Sequence, residues 1–295
     1  MNQNFYPSLK AALTGCFGSG VVVTRSERLS GGDINDARCL KLSSGEELFV
    51  KSNTSANRAF FEAEEQGLRA IAATDTIGTP RVLARGVDGD TSFLMLEMVR
   101  GGPRNSRFWE RFGQQLSALH SADTSGLVPG FGFPADNFIG AAPQHNSPRE
   151  RWVDFFRVCR LTPQLPMARH WFDARTLERF ERLLSRLEIL LPEPEAPSLL
   201  HGDLWSGNFL VGPDGLAWLI DPAAYVGLAE ADLAMSELFG GFSPTFYAAY
   251  REANPLEPGY RERRDLYNLY HLLNHLNLFG GGYLGAVLET LRRYV

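Results

Sequence analysis

The apolar residues of this chain change their spacing once, and that change limits the possible folds more than any other feature. Up to about residue 98 they come in short alternating or β-branched runs; from about residue 106 they recur at helical spacing. Arg100-Gly101-Gly102-Pro103 stands at the change and reads as a linker. In the first part, residues 20–29, 36–42, 47–52, 81–87 and 92–98 read as strands, with turns at Ser30-Gly31-Gly32-Asp33, Ser43-Ser44-Gly45 and Asp88-Gly89-Asp90. One long helix, 57–73, is inserted after the third strand, and residues 1–14 read as a short amphipathic helix. In the second part the spacing predicts helices over 106–120, 148–160, 174–191, 230–239, 243–252, 260–278 and 284–294. The expectation is an α+β chain: a small, mostly antiparallel β lobe with one long inserted helix, residues 1–98, and a large helical lobe, residues 99–295.

Composition removes several function classes. A net charge of −5 argues against a protein whose main task is gripping nucleic acid, which needs a basic face. Cys16, Cys39 and Cys159 form no CxxC or Cys/His cluster, so neither a disulfide framework nor a zinc knuckle is expected. No run approaches the ~20 apolar residues that cross a bilayer, and the first residues show no apolar segment behind a basic start. The expectation is a cytoplasmic protein with no membrane or nucleic-acid partner, a monomer being slightly favoured.

Residues 199–222, LLHGDLWSGNFLVGPDGLAWLIDP, interrupt the helical part. Two short apolar runs, Phe209–Val211 and Leu216–Ile220, are hinged at Gly212-Pro213-Asp214-Gly215. Asp203 precedes the hairpin, Asn208 lies five positions after Asp203 and just before the hairpin, and Asp221 closes it. Singly, each of these residues suits a turn. Together they offer two carboxylates and an amide oxygen, hard ligands of the kind Mg²⁺ takes in phosphoryl-transfer sites. No GxxxxGK[ST] occurs, so a P-loop NTPase is excluded.

HGDLxxxN followed by Ile-Asp resembles the catalytic and metal loops of the aminoglycoside and choline kinase group, which has the protein-kinase fold, with Gly202 where protein kinases have Arg. The fuller strings HGDLWSGN, IDPAAYVGLAEADLAM, FGGF and NHLNLFGGGY resemble the fructosamine kinase (ketosamine-3-kinase) family, with Trp205 as the distinguishing residue. The resemblance implies a two-lobed protein-kinase-like fold, with nucleotide bound by the first lobe, and transfer of phosphoryl from ATP to a ketosamine, free or on a glycated protein. It implies Asp203 as the catalytic carboxylate facing the acceptor, and Asn208 and Asp221 as Mg²⁺ ligands. Lys51 would sit on the phosphates, braced by Glu64, with Glu62 the competing partner. Gly31 and Gly32 would cover the nucleotide, and the stretch with Met95, Glu97 and Val99 would meet the adenine edge. Trp205 is a candidate acceptor contact. Glu230 stays open between helix capping and substrate contact, and Asp232 is expected to hold the catalytic loop.

Another small hydroxyl acceptor on the same fold, such as an aminoglycoside or a choline-like alcohol, remains the alternative; an inactive nucleotide-binding scaffold is the alternative of a different class. Two further patterns are set aside. GGGYLG at 280–285 matches GxGxxG but follows a helical run, where a dinucleotide fingerprint follows a strand. His271 and His275 are four apart but lack the Glu of HExxH.

Overall fold

The computed structural model describes residues 4–29 and 35–295. Contacts divide it into two units: Met1–Phe108 with Phe209–Asp221, and Trp109–Asn208 with Pro222–Val295.

The first unit runs β1 (Phe5–Tyr6), α1 (Leu9–Phe17), β2 (Val23–Arg28), β3 (Asp36–Leu42), β4 (Glu47–Thr54), α2 (Arg58–Ala72), β5 (Val82–Asp88) and β6 (Thr91–Glu97). The sheet order is β1-β5-β6-β4-β3-β2. All pairs are antiparallel except β1 with β5. The short parallel β1 falls where the sequence reading put helix. Pro7 biases Tyr6 towards an extended backbone, and Ser8 then caps α1, its Oγ accepting from the Ala11 N–H at 3.1 Å.

Strand β6 explains how the sheet is filled. Phe93 and Met95 pack into one cluster with Ala12, Leu13, Leu48 and Val50; Leu94 and Leu96 pack into the other with Phe61 and Leu68. The period of two therefore sends alternate residues to α1 on one face and α2 on the other. That is why the TSFLMLE run is apolar throughout its middle rather than alternating.

The second unit contains α3 (Phe108–His120) from Trp109 onward, β7 (Asn137–Ile139), β8 (Ala142–Gln144), α4 (Trp152–Phe155), α5 (Thr162–Ala168), α6 (Ala174–Leu190) and β9 (Ser198–Leu200). The chain then leaves for the hairpin β10 (Phe209–Val211) and β11 (Ala217–Leu219). It returns through β12 (Tyr225–Gly227), α7 (Glu230–Leu238), α8 (Pro244–Ala253), α9 (Tyr260–Phe279) and α10 (Leu284–Tyr294). Helix α9 packs against α5, α7 and α10. Trp152, Phe155, Phe156 and Tyr267 form an aromatic centre of the unit. The segment expected to be one helix over 148–160 instead bridges Phe131 at Arg149, starts its helix at Trp152 and continues as a π-helical turn, Phe156–Leu161. Among the described residues, no helix is long and apolar enough to cross a membrane.

The division differs from a boundary at 98/99 because the β10–β11 hairpin groups with the sheet. The Gly102 N–H donates to the Val211 carbonyl at 3.1 Å, Trp218 bridges Gly78, and the Leu219 N–H donates to the Gly78 carbonyl at 2.8 Å.

Candidate active site

In the first unit the middle of β4 places Lys51 between Ala37 of β3 and Leu94 of β6. Its side chain is 10% exposed. The ammonium donates to Glu64 Oε1 at 2.7 Å and also to Asp221 Oδ1. Burial works against that charge, but the attraction of Glu64 and Asp221 outweighs it and holds Lys51 above the ordinary lysine value. Burial pushes the Glu64 carboxyl up to about 7, against the pull of Lys51 and with Asp221 adding to the rise.

Helix α2 presents three glutamates and sorts them by face. Glu62 and Glu65, three apart, both reach Arg85, at 3.2 and 2.5 Å, and Glu65 also takes Arg69 at 2.9 Å. Glu64 points elsewhere and is the one that meets Lys51. Asp221, just past β11, has φ of +53°, in the left-handed region that Asp tolerates better than most residues. Its side chain is 47% exposed, so it is the open end of the Lys51 cluster.

Three residues expected on the nucleotide fare differently. The Met95 side chain is fully buried and packs in the sheet core, so what it could offer a nucleotide is its backbone. The Glu97 N–H donates to the Arg81 carbonyl at 3.0 Å and its carboxylate accepts from the Arg81 N–H at 2.8 Å. Val99 lies beyond the end of β6 and is half-buried. Gly31 and Gly32 lie outside the described residues.

In the second unit β9 pairs antiparallel with β12 and delivers His201-Gly202-Asp203 at its end. Gly202 has φ of +82°, and a Cβ there would stand 2.0 Å from the Ala223 carbonyl oxygen, so no other residue fits without moving the loop. Asp232, on the first turn of α7, grips the loop backbone. Its Oδ2 accepts the His201 N–H at 2.6 Å and its Oδ1 the Gly202 N–H at 2.9 Å. Oδ2 also meets His120 Nε2 at 3.2 Å, and His120 Nδ1 meets the Tyr250 hydroxyl at 2.8 Å. Burial works to raise the Asp232 carboxyl, but the bond from His120, the His120 and His201 rings and the Gly202 N–H together hold it below the ordinary carboxylate value.

Beyond Gly202 the chain turns tightly. The Trp205 N–H donates to the Asp203 carbonyl at 3.1 Å, and the Asn208 N–H to the Trp205 carbonyl at 3.0 Å. Asn208 Nδ2 donates to the Asp203 carbonyl at 2.9 Å and to its Oδ2 at 3.0 Å. Those two bonds orient the amide and leave Oδ1 as its accepting atom. The Trp205 ring lies across Gly207, where a Cβ would come within 2.2 Å of it, and is 39% exposed. From the far side, Asn137 and Gln144 donate to the Ala224 and Ala223 carbonyls at 2.7 and 2.9 Å, fixing the chain that follows Asp221.

Glu230, left open in the sequence, is settled by burial. It is 2% exposed, and its carboxylate accepts from Arg263 at 2.5 and 2.7 Å and from the Tyr267 hydroxyl at 3.0 Å. It ties α7 to α9 and does not face a substrate. His120 and Tyr250 are the residues that sequence reading missed; a lone His at a helix end and a Tyr on an apolar face carry no local signal. The set-aside patterns stay set aside. The glycine-rich run forms a 3-10 turn after α9 rather than after a strand. His275 Nδ1 is spent on the His271 carbonyl at 2.8 Å. Burial pushes His271 down to about 3.

Asn208 and Asp221 supply one neutral and one charged oxygen. Among the described residues no group of three or more His, Cys, Asp or Glu could hold a metal ion. Each of the two residues is by itself an oxygen donor of the kind Mg²⁺ takes, an ion that usually has one or two protein ligands and completes its shell with phosphate oxygens and water.

A β-sheet unit with one inserted helix and a buried Lys–Glu pair, with a helical unit carrying His-Gly-Asp and a downstream Asn, is the architecture of the protein-kinase-like phosphotransferases. A solved aminoglycoside phosphotransferase shares the fold, with a TM-score of 0.62 at 19% identity over 96% of this chain and 97% of its own. The fructosamine kinase family model matches residues 6–295, and the chain belongs to the fructosamine kinase family. A Synechocystis protein named a probable ketoamine kinase is 44% identical over 90% of this chain and 88% of its own length. A chloroplastic protein-ribulosamine 3-kinase of Oryza sativa subsp. indica is 37% identical over 94% of this chain and 81% of its own. A Thermobifida fusca structure with a provisional fructosamine-3-kinase name superposes with a TM-score of 0.84 at 34% identity, covering 97% of this chain and 98% of that one. The chain is therefore a kinase that uses a nucleotide.

Proposed function

We propose that this enzyme transfers the γ-phosphoryl group of ATP to the third-carbon hydroxyl of a ketosamine, a sugar joined through nitrogen to an amine or a protein side chain, and so begins removal of the adduct. The observation that carries this reading is the family match over 6–295, together with relatives of 37–44% identity named for ketoamine and ribulosamine phosphorylation. Asp203 accepts the proton of the acceptor hydroxyl as the new O–P bond forms. Its carboxylate is aimed by Asn208 and its loop is fixed by Asp232, so little reorganisation is needed at the moment of transfer. Lys51, braced by Glu64, positions the phosphates. Asn208 and Asp221 are the proposed ligands of Mg²⁺, which neutralises charge on the phosphate oxygens. Val99 is the proposed backbone contact to the adenine edge, and Trp205 a contact to the acceptor.

The test is kcat/KM measured side by side on fructosyl-lysine, ribosyl-lysine, fructose, ribose, kanamycin and choline. The two ketosamines are expected to lead. Equal rates on fructose and its lysine adduct, or a preference for kanamycin, overturn the reading.

A further inference from the structure

The FGGF and FGGGY segments have no role in the chemistry above, yet they put aromatic side chains where a soluble surface rarely holds them. Phe239 ends α7 and is 42% exposed; Phe279 ends α9 and is 63% exposed. Both lean on one imidazole. The His275 ring lies 5.0 Å from Phe239, 5.4 Å from Phe279 and 5.0 Å from Tyr283, all in tilted contact. Three aromatic rings thus surround one histidine on the outside of the second unit, with two of them open to solvent. Ring packing of this kind fixes the faces in place before anything binds, which reduces the ordering cost of a ligand.

The patch adjoins the catalytic loop. Two residues after Phe239, Gly241 abuts Ser206, where an added Cβ would stand 2.5 Å from the Ser206 Cβ, and Ser206 follows Asp203 by three positions. The half-exposed Trp205 ring lies on the same turn. A substituent leaving a sugar held at Asp203 therefore has an apolar surface beside it.

We propose that Phe239, Phe279 and Tyr283, gathered around His275, form a platform for the alkyl chain on the nitrogen of the acceptor, such as the methylene chain of a glycated lysine. The proposal rests on the ketosamine reading and says which part of the acceptor touches the enzyme beyond the reacting sugar. Its chemistry suits that occupant. Methylenes gain by covering exposed aromatic faces. The neighbouring acceptor nitrogen is protonated, and the platform offers it π-faces. Burial lowers the His275 value, so its imidazole is neutral near pH 7. Its Nδ1–H donates to the His271 carbonyl, which leaves Nε2 as an acceptor. Because the rim at Phe279 is open, the platform ends the contact after a few methylenes and leaves the rest of a carrier protein in solvent.

The experiment is a chain-length series of fructosamines made from methylamine, propylamine, butylamine and hexylamine, with kcat/KM measured for each. Wild-type enzyme should gain about twofold per methylene up to butyl, half of the roughly fourfold that complete burial of a CH₂ gives, and then level off. In Phe279→Ala the butyl-to-methyl ratio should fall towards one. Phe239→Ala should act in the same direction, while Phe279→Leu, which keeps an apolar contact, should retain most of the ratio. A flat series in an enzyme that turns over all four adducts overturns the platform and leaves the ketosamine reading standing. A slope that survives Phe279→Ala and Phe239→Ala also overturns it. No turnover on any adduct overturns the ketosamine reading itself.

Discussion

The two units hold their functional carboxylates by opposite means. In the first, Glu64 and Asp221 are held by charge: both meet the Lys51 ammonium, and one of them is deeply buried. In the second, the Asp203 loop is held by geometry: a left-handed glycine, backbone N–H groups capped by Asp232, and an amide bridge from Asn208. A charge cluster tolerates small movement and depends on protonation. A capped loop rests on the direction of a few donors and acceptors and fails when one of them is misplaced. The difference fits the proposed roles, since a lysine that follows phosphates must adapt and a base that meets one hydroxyl must be fixed.

The largest effect should come from the fixed half. Asp203→Asn keeps the shape of the side chain and removes its proton acceptor. Turnover on a ketosamine should fall by about 10²–10⁴ with ATP affinity nearly unchanged, because the role proposed for the residue is at the acceptor and not at the nucleotide. Turnover close to wild type would remove Asp203 from the role of base.

The proposed metal ligands come next and set the two halves against each other directly. Asp221→Ala removes a charge and Asn208→Ala a dipole, so Asp221→Ala should abolish turnover, while Asn208→Ala should leave turnover that recovers partly at high Mg²⁺. Rates measured across a Mg²⁺ titration decide the order. If Asn208→Ala is the more damaging at saturating Mg²⁺, the amide matters more for aiming Asp203 Oδ2 than as a ligand.

Legibility in the sequence divided along the same line as the comparison. Spacing and chemistry exposed HGDLxxxN and the closing Asp221, while Lys51, in the middle of β4 and not at a strand end, came only from the family resemblance. The choice between Glu62 and Glu64 was beyond spacing alone; it was decided by Arg85 on β5, which claims Glu62 and Glu65 across twenty or more residues of sequence. Glu230 misled because an acid at a helix start has a local explanation, while its true partners, Arg263 and Tyr267, lie on α9. Most elements of the sheet unit were visible as short apolar or β-branched runs bounded by turn residues. The placement of β10–β11 was not, since backbone bonds to Gly78 and Gly102 have no side-chain signature.

A smaller effect, on stability rather than rate, is expected at the cap. Asp232→Asn presents an NH₂ to a backbone N–H that now donates to a carboxylate. Losing one such charged hydrogen bond should cost about 1.5–3 kcal/mol, seen as a lower Tm at pH 7. The pH dependence follows from the lowered Asp232 value. A carboxyl held lower in the folded than in the unfolded chain stabilises the fold above the ordinary carboxylate range and loses that contribution as the pH falls below it. The Tm gap between wild type and Asp232→Asn should therefore be widest near neutrality and narrow below about pH 4. A gap that grows on acidification would show that the carboxylate is not what holds the loop.

The smallest effect should be that of Glu64→Gln, and its sign is opposite. Burial raises the Glu64 carboxyl to about 7, above its ordinary value near 4.5. The folded state therefore prefers this group protonated. Its favourable contribution is complete below the unfolded value and is lost as the pH rises through about 7. Gln has the shape of the protonated acid and can still accept from Lys51 through its carbonyl oxygen, with Asp221 remaining as a charged partner. At pH 5 the variant and wild type should melt within a few degrees of each other. Between pH 6 and 8 the wild-type Tm should decline relative to the variant's, because only the wild type must ionise a buried acid. Removing one partner of a buried ion pair ordinarily costs about 3–5 kcal/mol because the other charge is left uncompensated, but here Asp221 remains to meet Lys51. A large loss of Tm in Glu64→Gln already present at pH 5 would mean that Glu64 is still ionised there and that its charge is what holds Lys51, which would overturn the raised Glu64 value.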